Sequence, residues 1–419
     1  MAPPRRWTVP LGAVLVHMGI GSVYAWSTLN RPITAALPSL PWWASPPYTT
    51  FTSALVLLGL SAATWGPWVE KRGARTAARL AALCFSCGLV VGGAGLILRQ
   101  PLLLFLGLGI LCGIGCGIGY IAPVSTLVKW FPDRRGMATG FAIMGFGGGA
   151  FLGGYANAFL VERVGIANAL FVLGGAYLLI MLAGSTLLRP APAPVRLPDD
   201  ATPSTHASIV AEGMTRREAL RTPQFALLWG MLCINVTAGI GILAQASPMM
   251  QDLFGRTPAE AAAVVAIISV FNAGGRLLWS SASDYHRTTQ QLRGLLHRTG
   301  GVVLAHPALR EDGRVVPVPW LPVGGVHHVR WRLRDHSRRF LADLFGSANV
   351  GAIHGALLTA WSVAAVAGPV IITELSSRAR AALGPGMSKV AIYDQPLQLL
   401  AALLAVGLVL TLMVRPIRR

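Results

Sequence analysis

Arg276 stands inside a long apolar run, with Gly274 and Gly275 before it and Leu277 and Leu278 after it. An ionisable side chain is costly in a membrane span and by default marks a pathway. A guanidinium can grip a carboxylate through two parallel, charge-assisted hydrogen bonds. The alternative is that Arg276 reaches the span end, or pairs with Asp284. His354 is a titratable group in another apolar run, where a satisfied packing histidine is the competing reading. His17 reads as packing. Tyr24, Trp26 and Tyr120 either line a small dry cavity or face lipid and core. In a cavity they would exclude water and strengthen an arginine–carboxylate attraction.

These residues need elements to hold them. Of the 419 residues, 53% are hydrophobic and 12% charged, about half the charged fraction of an ordinary soluble domain. Mean hydropathy is +0.58. Apolar runs of ~20 residues recur, each long enough as a helix to cross a ~30 Å hydrocarbon core. Lipid offers no partner for backbone polar groups, and continuous apolar runs cannot form an alternating barrel. The fold class is therefore all-α and polytopic. Spans are expected near 8–30, 49–69, 76–98, 101–126, 137–160 and 166–188. Further spans are expected near 224–248, 258–282, 346–373 and 394–415. This divides the chain into an N-terminal six-helix half over 1–188, a polar cytoplasmic linker over 189–223 and a C-terminal half over 224–419. Pro123 and Pro248 are expected to kink their helices, and Pro369 to end one.

The formal net charge is +19, which raises nucleic acid as a partner. The basic residues outside one stretch cluster beside alternate span ends, however: Arg5–Arg6, Lys71–Arg75, Lys129–Arg135, Arg216–Arg221 and Arg415–Arg419. That is the positive-inside pattern of a multi-pass protein in the cell (inner or plasma) membrane, with both termini cytoplasmic. No nucleic-acid partner is expected, and a monomer is. The Cys84/Cys87 pair and Cys112/Cys116 lie in apolar runs with no ligand set to complete a zinc site. No metal or cofactor is expected. "GFGGGAFLGG", from Gly145, follows no strand, so it reads as close helix packing rather than a dinucleotide loop. No nucleophile–base set or carboxylate pair emerges, so an enzyme is not expected.

The halves echo each other. After the second span stands "GPWVEKRGAR", with Gly66, Glu70, Lys71, Gly73 and Arg75. After the eighth stands "SSASDYHRTT", where Ser280 and Asp284 keep the offset between Gly66 and Glu70. "FPDRRGMATGF", with Asp133, Arg134 and Arg135, resembles "LFGSANVGAIHG". Parallel six-helix repeats around a central path mark the major facilitator architecture. "GSVYAWS", "WFPDRRGMATGFAIMGFGGGA", "EALRTPQFALLW", "NAGGRLLW" and "FLADLFGSANVGAIHGALLTAWS" together resemble the oxalate/formate antiporter family. The resemblance covers most of the chain except 286–339. It implies two six-helix halves with twelve spans, of which about ten are legible, and transport of a small carboxylate by alternating access. It implies substrate contacts for Arg276, Tyr24 and Tyr120, and a lesser case for Trp26. His354 stands where that family's oxalate carrier has lysine; an imidazole beside Arg276 suits a monocarboxylate, with a proton as candidate co-substrate. The recurring acid–Gly–Arg spacing implies salt-bridge gates at Glu70, Lys71, Gly73 and Arg75, at Asp133–Arg135 and at Asp284. The alternatives are a facilitator for another organic anion, and a non-transporting membrane sensor with a basic cytoplasmic segment.

The stretch from His286 to Arg339 is basic where spans nine and ten belong. Codons chosen for His286–Thr289, read one base later, spell Ile-Gly-Arg-Arg, the ending that the family resemblance implies for the eighth-span gate. The same shift over Trp331–Arg339 gives an apolar run suited to the sequence before "FLADLFG". Two compensating one-base frame changes, near 286 and 339, account for this stretch; a real cytoplasmic insertion is the alternative. A central arginine costs ~2.5–3.5 kcal/mol on insertion, so the basic stretch does not replace two wall helices. The chain is expected to take up carboxylate more slowly than a frame-restored form. Equal uptake by the two overturns that expectation, and an unbroken frame in messenger RNA overturns the frame-change reading.

Overall fold

The computed structural model describes residues 6–37, 41, 48–131, 134–190, 214–283, 308–311, 314–317, 344–345, 350–382 and 391–413. Nine helical stretches among them are long and apolar enough to cross a membrane. One of these, Gly140–Leu187, has 48 residues, or roughly 72 Å of helix at 1.5 Å per residue, which is two crossings. The break falls at Gly165, whose φ of 76° and ψ of 162° are not helical. An L-side chain avoids that conformation, so glycine lets the chain reverse without a loop. The two arms lie back to back: Gly145 meets Val14 of the first span, and Gly184 meets Gly12 and Leu15 on the same stretch.

The N-terminal half thus holds six spans. The first runs as α-helix from Thr8 to Gly21 and tightens to 3-10 geometry over Ser22–Thr28. Tyr48–Arg72 and Ala74–Ile97 form the second and third. The fourth begins at Pro101, widens to π geometry over Phe105–Leu111 and continues as α-helix over Cys112–Trp130. Arg135–Leu187 holds the fifth and sixth. Past the linker, Thr215 and Glu218 close a capping box on a short helix, Arg216–Leu220. The backbone N–H of Thr215 bonds the Glu218 carboxylate and holds its pKa below the usual carboxylate range. Thr222 then caps the seventh span, Pro223–Phe254, with proline in its first turn.

Pro258–Ser283 is the eighth span. Val350–Leu357 and Thr359–Ala382 together form the span numbered eleven, broken at Leu358, and Ala391–Met413 is the twelfth. The structure is overwhelmingly helical, as expected. The strands among the described residues are a short hairpin inside the basic stretch, Ala308–Glu311 against Arg314–Pro317. Pro369 lies inside its helix rather than ending it, because neighbouring helices can satisfy the carbonyl a membrane proline frees. Pro123 and Pro248 also lie inside helices.

Lipid tails are as apolar as leucine, so packing in a bundle comes from close approach at small residues. The fifth span uses its glycines this way on two faces. A Cβ at Gly149 would overlap the Met18 carbonyl oxygen, and one at Gly145 would stand 2.6 Å from that of Val14. On the other face, a Cβ at Gly147 would stand 2.7 Å from Ala273 of the eighth span. The fifth span therefore touches its own half and the opposite half through the same short run. Gly149→Ala should lower thermal stability in detergent by ~1–3 kcal/mol, the usual cost of overpacking. Gly175→Ala, with nothing within 4 Å, should leave it unchanged or raise it.

Candidate functional site

The 3-10 segment of the first span sits between bonds that favour a tight turn. Ser22 Oγ donates to the Gly19 carbonyl and Thr28 Oγ1 to the Ala25 carbonyl, each at 2.7 Å. Such side-chain-to-backbone bonds compete with the α ladder. Asn157 of the fifth span donates to Thr28 Oγ1 at 3.0 Å and fixes the segment from outside. A 3-10 stretch inside a helix is a common hinge signature. Tyr24 is presented from this segment and is fully buried.

Around Tyr24 the bundle gathers aromatic rings from four spans. Its ring meets Phe146 of the fifth span edge-to-face, with centroids 4.7 Å apart. Tyr120 of the fourth span stands edge-on to His17 of the first at 5.5 Å, and to Phe146 at 6.3 Å. From the other half, Trp361 stacks parallel to Tyr24 at 6.5 Å and 10°. Offset and edge-on pairs are the favoured arrangements of ring quadrupoles. His17 Nδ1 lies 2.9 Å from the Ala13 carbonyl, which can only accept. The proton is therefore on Nδ1, which leaves Nε2 as an acceptor when the ring is neutral.

Two of the expected site residues, Tyr24 and Tyr120, thus join one cluster. His354 is buried in the last turn of Val350–Leu357, seven residues before Trp361 on the same span and just before the break at Leu358. Trp26 faces elsewhere: its ring stacks on Phe51 of the second span at 5.9 Å. Arg276 lies on the eighth-span helix, three residues beyond Ala273, which packs on Gly147 of the fifth span. Its side chain falls outside the described residues.

The expected gate residues behave differently from one another. Gly66 packs on Ile121 of the fourth span. Gly73 takes a φ of 83° at the turn between spans two and three. Lys71 and Arg134 are exposed. Arg75 donates to the Thr186 carbonyl at 2.8 Å, at the C-terminal end of the sixth span, where a cation is favoured. That bond stays within one half. Asp133, Asp284 and the side chains of Glu70 and Arg135 lie outside the described residues, as does most of 286–339.

Sequence reasoning misses Phe146 and Trp361 as site residues. Phe146 is hidden in a glycine run that reads as packing, and Trp361 lies in a motif whose informative residue is His354. The cysteines act as packing groups: Cys112 Sγ points to the Phe85 carbonyl at 3.3 Å and Cys116 Sγ to the Ile20 carbonyl at 3.7 Å.

The aromatic centre lies where two sets of membrane helices meet. The sequence model of the Major Facilitator Superfamily matches residues 9–309, and the chain belongs to that family of transporters; it is not an enzyme. Among curated relatives, an uncharacterized MFS-type transporter of Escherichia coli, YhjX, is 29% identical over 281 residues, covering 67% of this chain and 66% of that protein. The oxalate:formate antiporter of Oxalobacter formigenes is 30% identical over 290 residues, covering 67% and 64%. Apicoplast pyruvate carrier 1 of Toxoplasma gondii is 27% identical, covering 70% of each. The matches thus span just under two thirds of the first two relatives' lengths. A solved bacterial homologue of the human lysosomal transporter Spinster, inward-facing and occupied, shares the fold with a TM-score of 0.62 at 16% identity, over 99% of this chain and 97% of that one.

The Tyr24–Trp361 stack is a contact between halves and should be measurable as such. Replacing both by alanine should reveal a coupling of ~0.5–1.5 kcal/mol in a double-mutant cycle of thermal stability. Val363, which is exposed, should show no coupling to Tyr24.

Proposed function

We propose that this chain is a secondary carrier of a small monocarboxylate, moved by alternating access through a site between the halves. One observation carries the reading: a buried ring cluster, Tyr24, Tyr120, Phe146 and Trp361, is contributed by both halves. A site shared in this way is remade whenever the halves rock, which is what a carrier needs. Apolar rings exclude water and raise the value of a charged contact inside. Arg276 supplies that contact, gripping the carboxylate by two hydrogen bonds. His354 supplies a neutral or titrating partner in place of a second fixed cation. The names of the relatives, an oxalate:formate antiporter and a pyruvate carrier, support the broader class of small carboxylates, mono- and dicarboxylate alike. The basic span ends support an orientation with both chain termini on the cytoplasmic side of the cell membrane.

The test is uptake into liposomes by the frame-restored chain, across a panel of mono- and dicarboxylates, with and without a pH gradient. Arg276→Ala should abolish uptake, while Arg276→Lys, which keeps the charge and loses the fork, should retain a fraction. His354→Lys should move preference toward a dicarboxylate. Full uptake by Arg276→Ala would falsify the binding role.

A further inference from the structure

Opposite the face that carries the chain ends, four span ends meet on one carboxylate. Asp252, in the last turn of the seventh span, takes Arg380 Nη2 of the eleventh span on Oδ2 at 2.5 Å. Tyr393 of the twelfth span donates its hydroxyl to the same oxygen at 2.9 Å, and Arg380 donates to that hydroxyl at 3.0 Å. These three contacts lie within the C-terminal half. The fourth crosses between halves: Arg31, just beyond the first span, reaches Asp252 Oδ1 at 2.9 Å and Gln251 Oε1 at 2.5 Å. The neighbouring Asn30 is buried and donates to the Ala244 carbonyl at 3.1 Å, two turns deeper on the seventh span.

The contacts are unequal. Arg380 and Tyr393 hold Asp252 in place whatever the halves do, because all three move together. Arg31 is on the other body, and its side chain is 51% exposed against 17% for Asp252. Separating the halves on this face must break the Arg31 contacts with Asp252 and Gln251 and the Asn30 bond, while the Arg380 and Tyr393 contacts of Asp252 can stay whole. An exposed ion pair is weak and screened by salt, so it suits a contact that is made and broken in every cycle.

We propose that Arg31 and Asp252 form a latch on the outer mouth of the carrier, with Arg380 and Tyr393 as the fixed seat of Asp252 and Asn30–Ala244 as the seal beneath. The inference uses the orientation proposed above but not the substrate, and its test needs no transport.

The experiment measures reaction of a membrane-impermeant thiol reagent, added from outside, with Ser247→Cys in the full chain. Ser247 is buried and lies one turn below Gln251, whose amide it accepts. The chain that keeps Ser247 sets the background of the native cysteines. Arg31→Gln should speed labelling about two- to fivefold, the loss of one exposed ion pair, and Arg31→Lys should restore the slow rate. Raising ionic strength from ~0.01 to ~1 M should speed labelling with Arg31 present and not with Arg31→Gln. Asp252→Asn should label at least as fast as Arg31→Gln, and the double variant no faster than Asp252→Asn alone. If Asp252→Asn fails to fold, the exposed Arg31 variants still decide. Labelling of Arg31→Gln at the parent rate, or independent addition of the two effects, overturns the latch. Loss of carboxylate uptake in Arg276→Ala with an intact labelling pattern separates the substrate reading from this one.

Discussion

Nothing in a hydrocarbon medium pushes one apolar helix onto another, so this bundle depends on how closely two backbones can come. The contact of Gly149 with the Met18 carbonyl is the tightest expression of that constraint along the fifth span. The same logic recurs where Gly368 meets the Thr237 carbonyl and where Gly107 meets Gly88 and Gly92. At such points a methyl group is enough to part the helices.

Between the halves, hydrogen bonds join these close approaches. Ser362 Oγ donates to the Val56 carbonyl at 2.8 Å, Thr52 Oγ1 to that of Ala365 at 3.2 Å, and Asn30 to that of Ala244. Each is one hydrogen bond from a small polar side chain to a carbonyl already engaged in a helix. Such bonds average well under 2 kcal/mol in membranes, and they orient a surface without welding it. The seam thus combines close glycine contacts, such as Gly147 on Ala273 and Gly59 on Leu358, with single hydrogen bonds that orient the two surfaces.

Much of this is legible in the sequence because lipid makes the code simple. Span positions follow from apolar run length, and observed helices begin and end within a few residues of expectation over most of the chain. The glycine run of the fifth span is legible as packing because nothing else explains three adjacent glycines in a membrane helix. What composition does not show is geometry that departs from a single helical period. Tyr24 and Trp26 are two residues apart and read alike, yet in the 3-10 segment one joins the Phe146 cluster and the other turns to Phe51. Gly165 stands in the sequence only as the boundary between two spans; its reversal without a loop rests on one backbone conformation. Trp361 is visible only once the eleventh span is set against the first. Arg31, Asp252, Arg380 and Tyr393 look like ordinary wet residues at span ends, because their meeting depends on four segments far apart in the chain.

The π segment, Phe105–Leu111, carries a consequence for how such a site is inherited. Each i→i+5 bond takes one more residue than an α turn, so the segment stores surplus chain within the span itself. Return it to α geometry and everything from Cys112 onward turns by up to about 100°, the angle of one residue on a 3.6-residue helix. Tyr120 would leave the ring cluster although no amino acid in it had changed. Part of the site is therefore written as a phase along the fourth span. A single deletion some ten residues away would remove Tyr120 from the cluster as surely as replacing it.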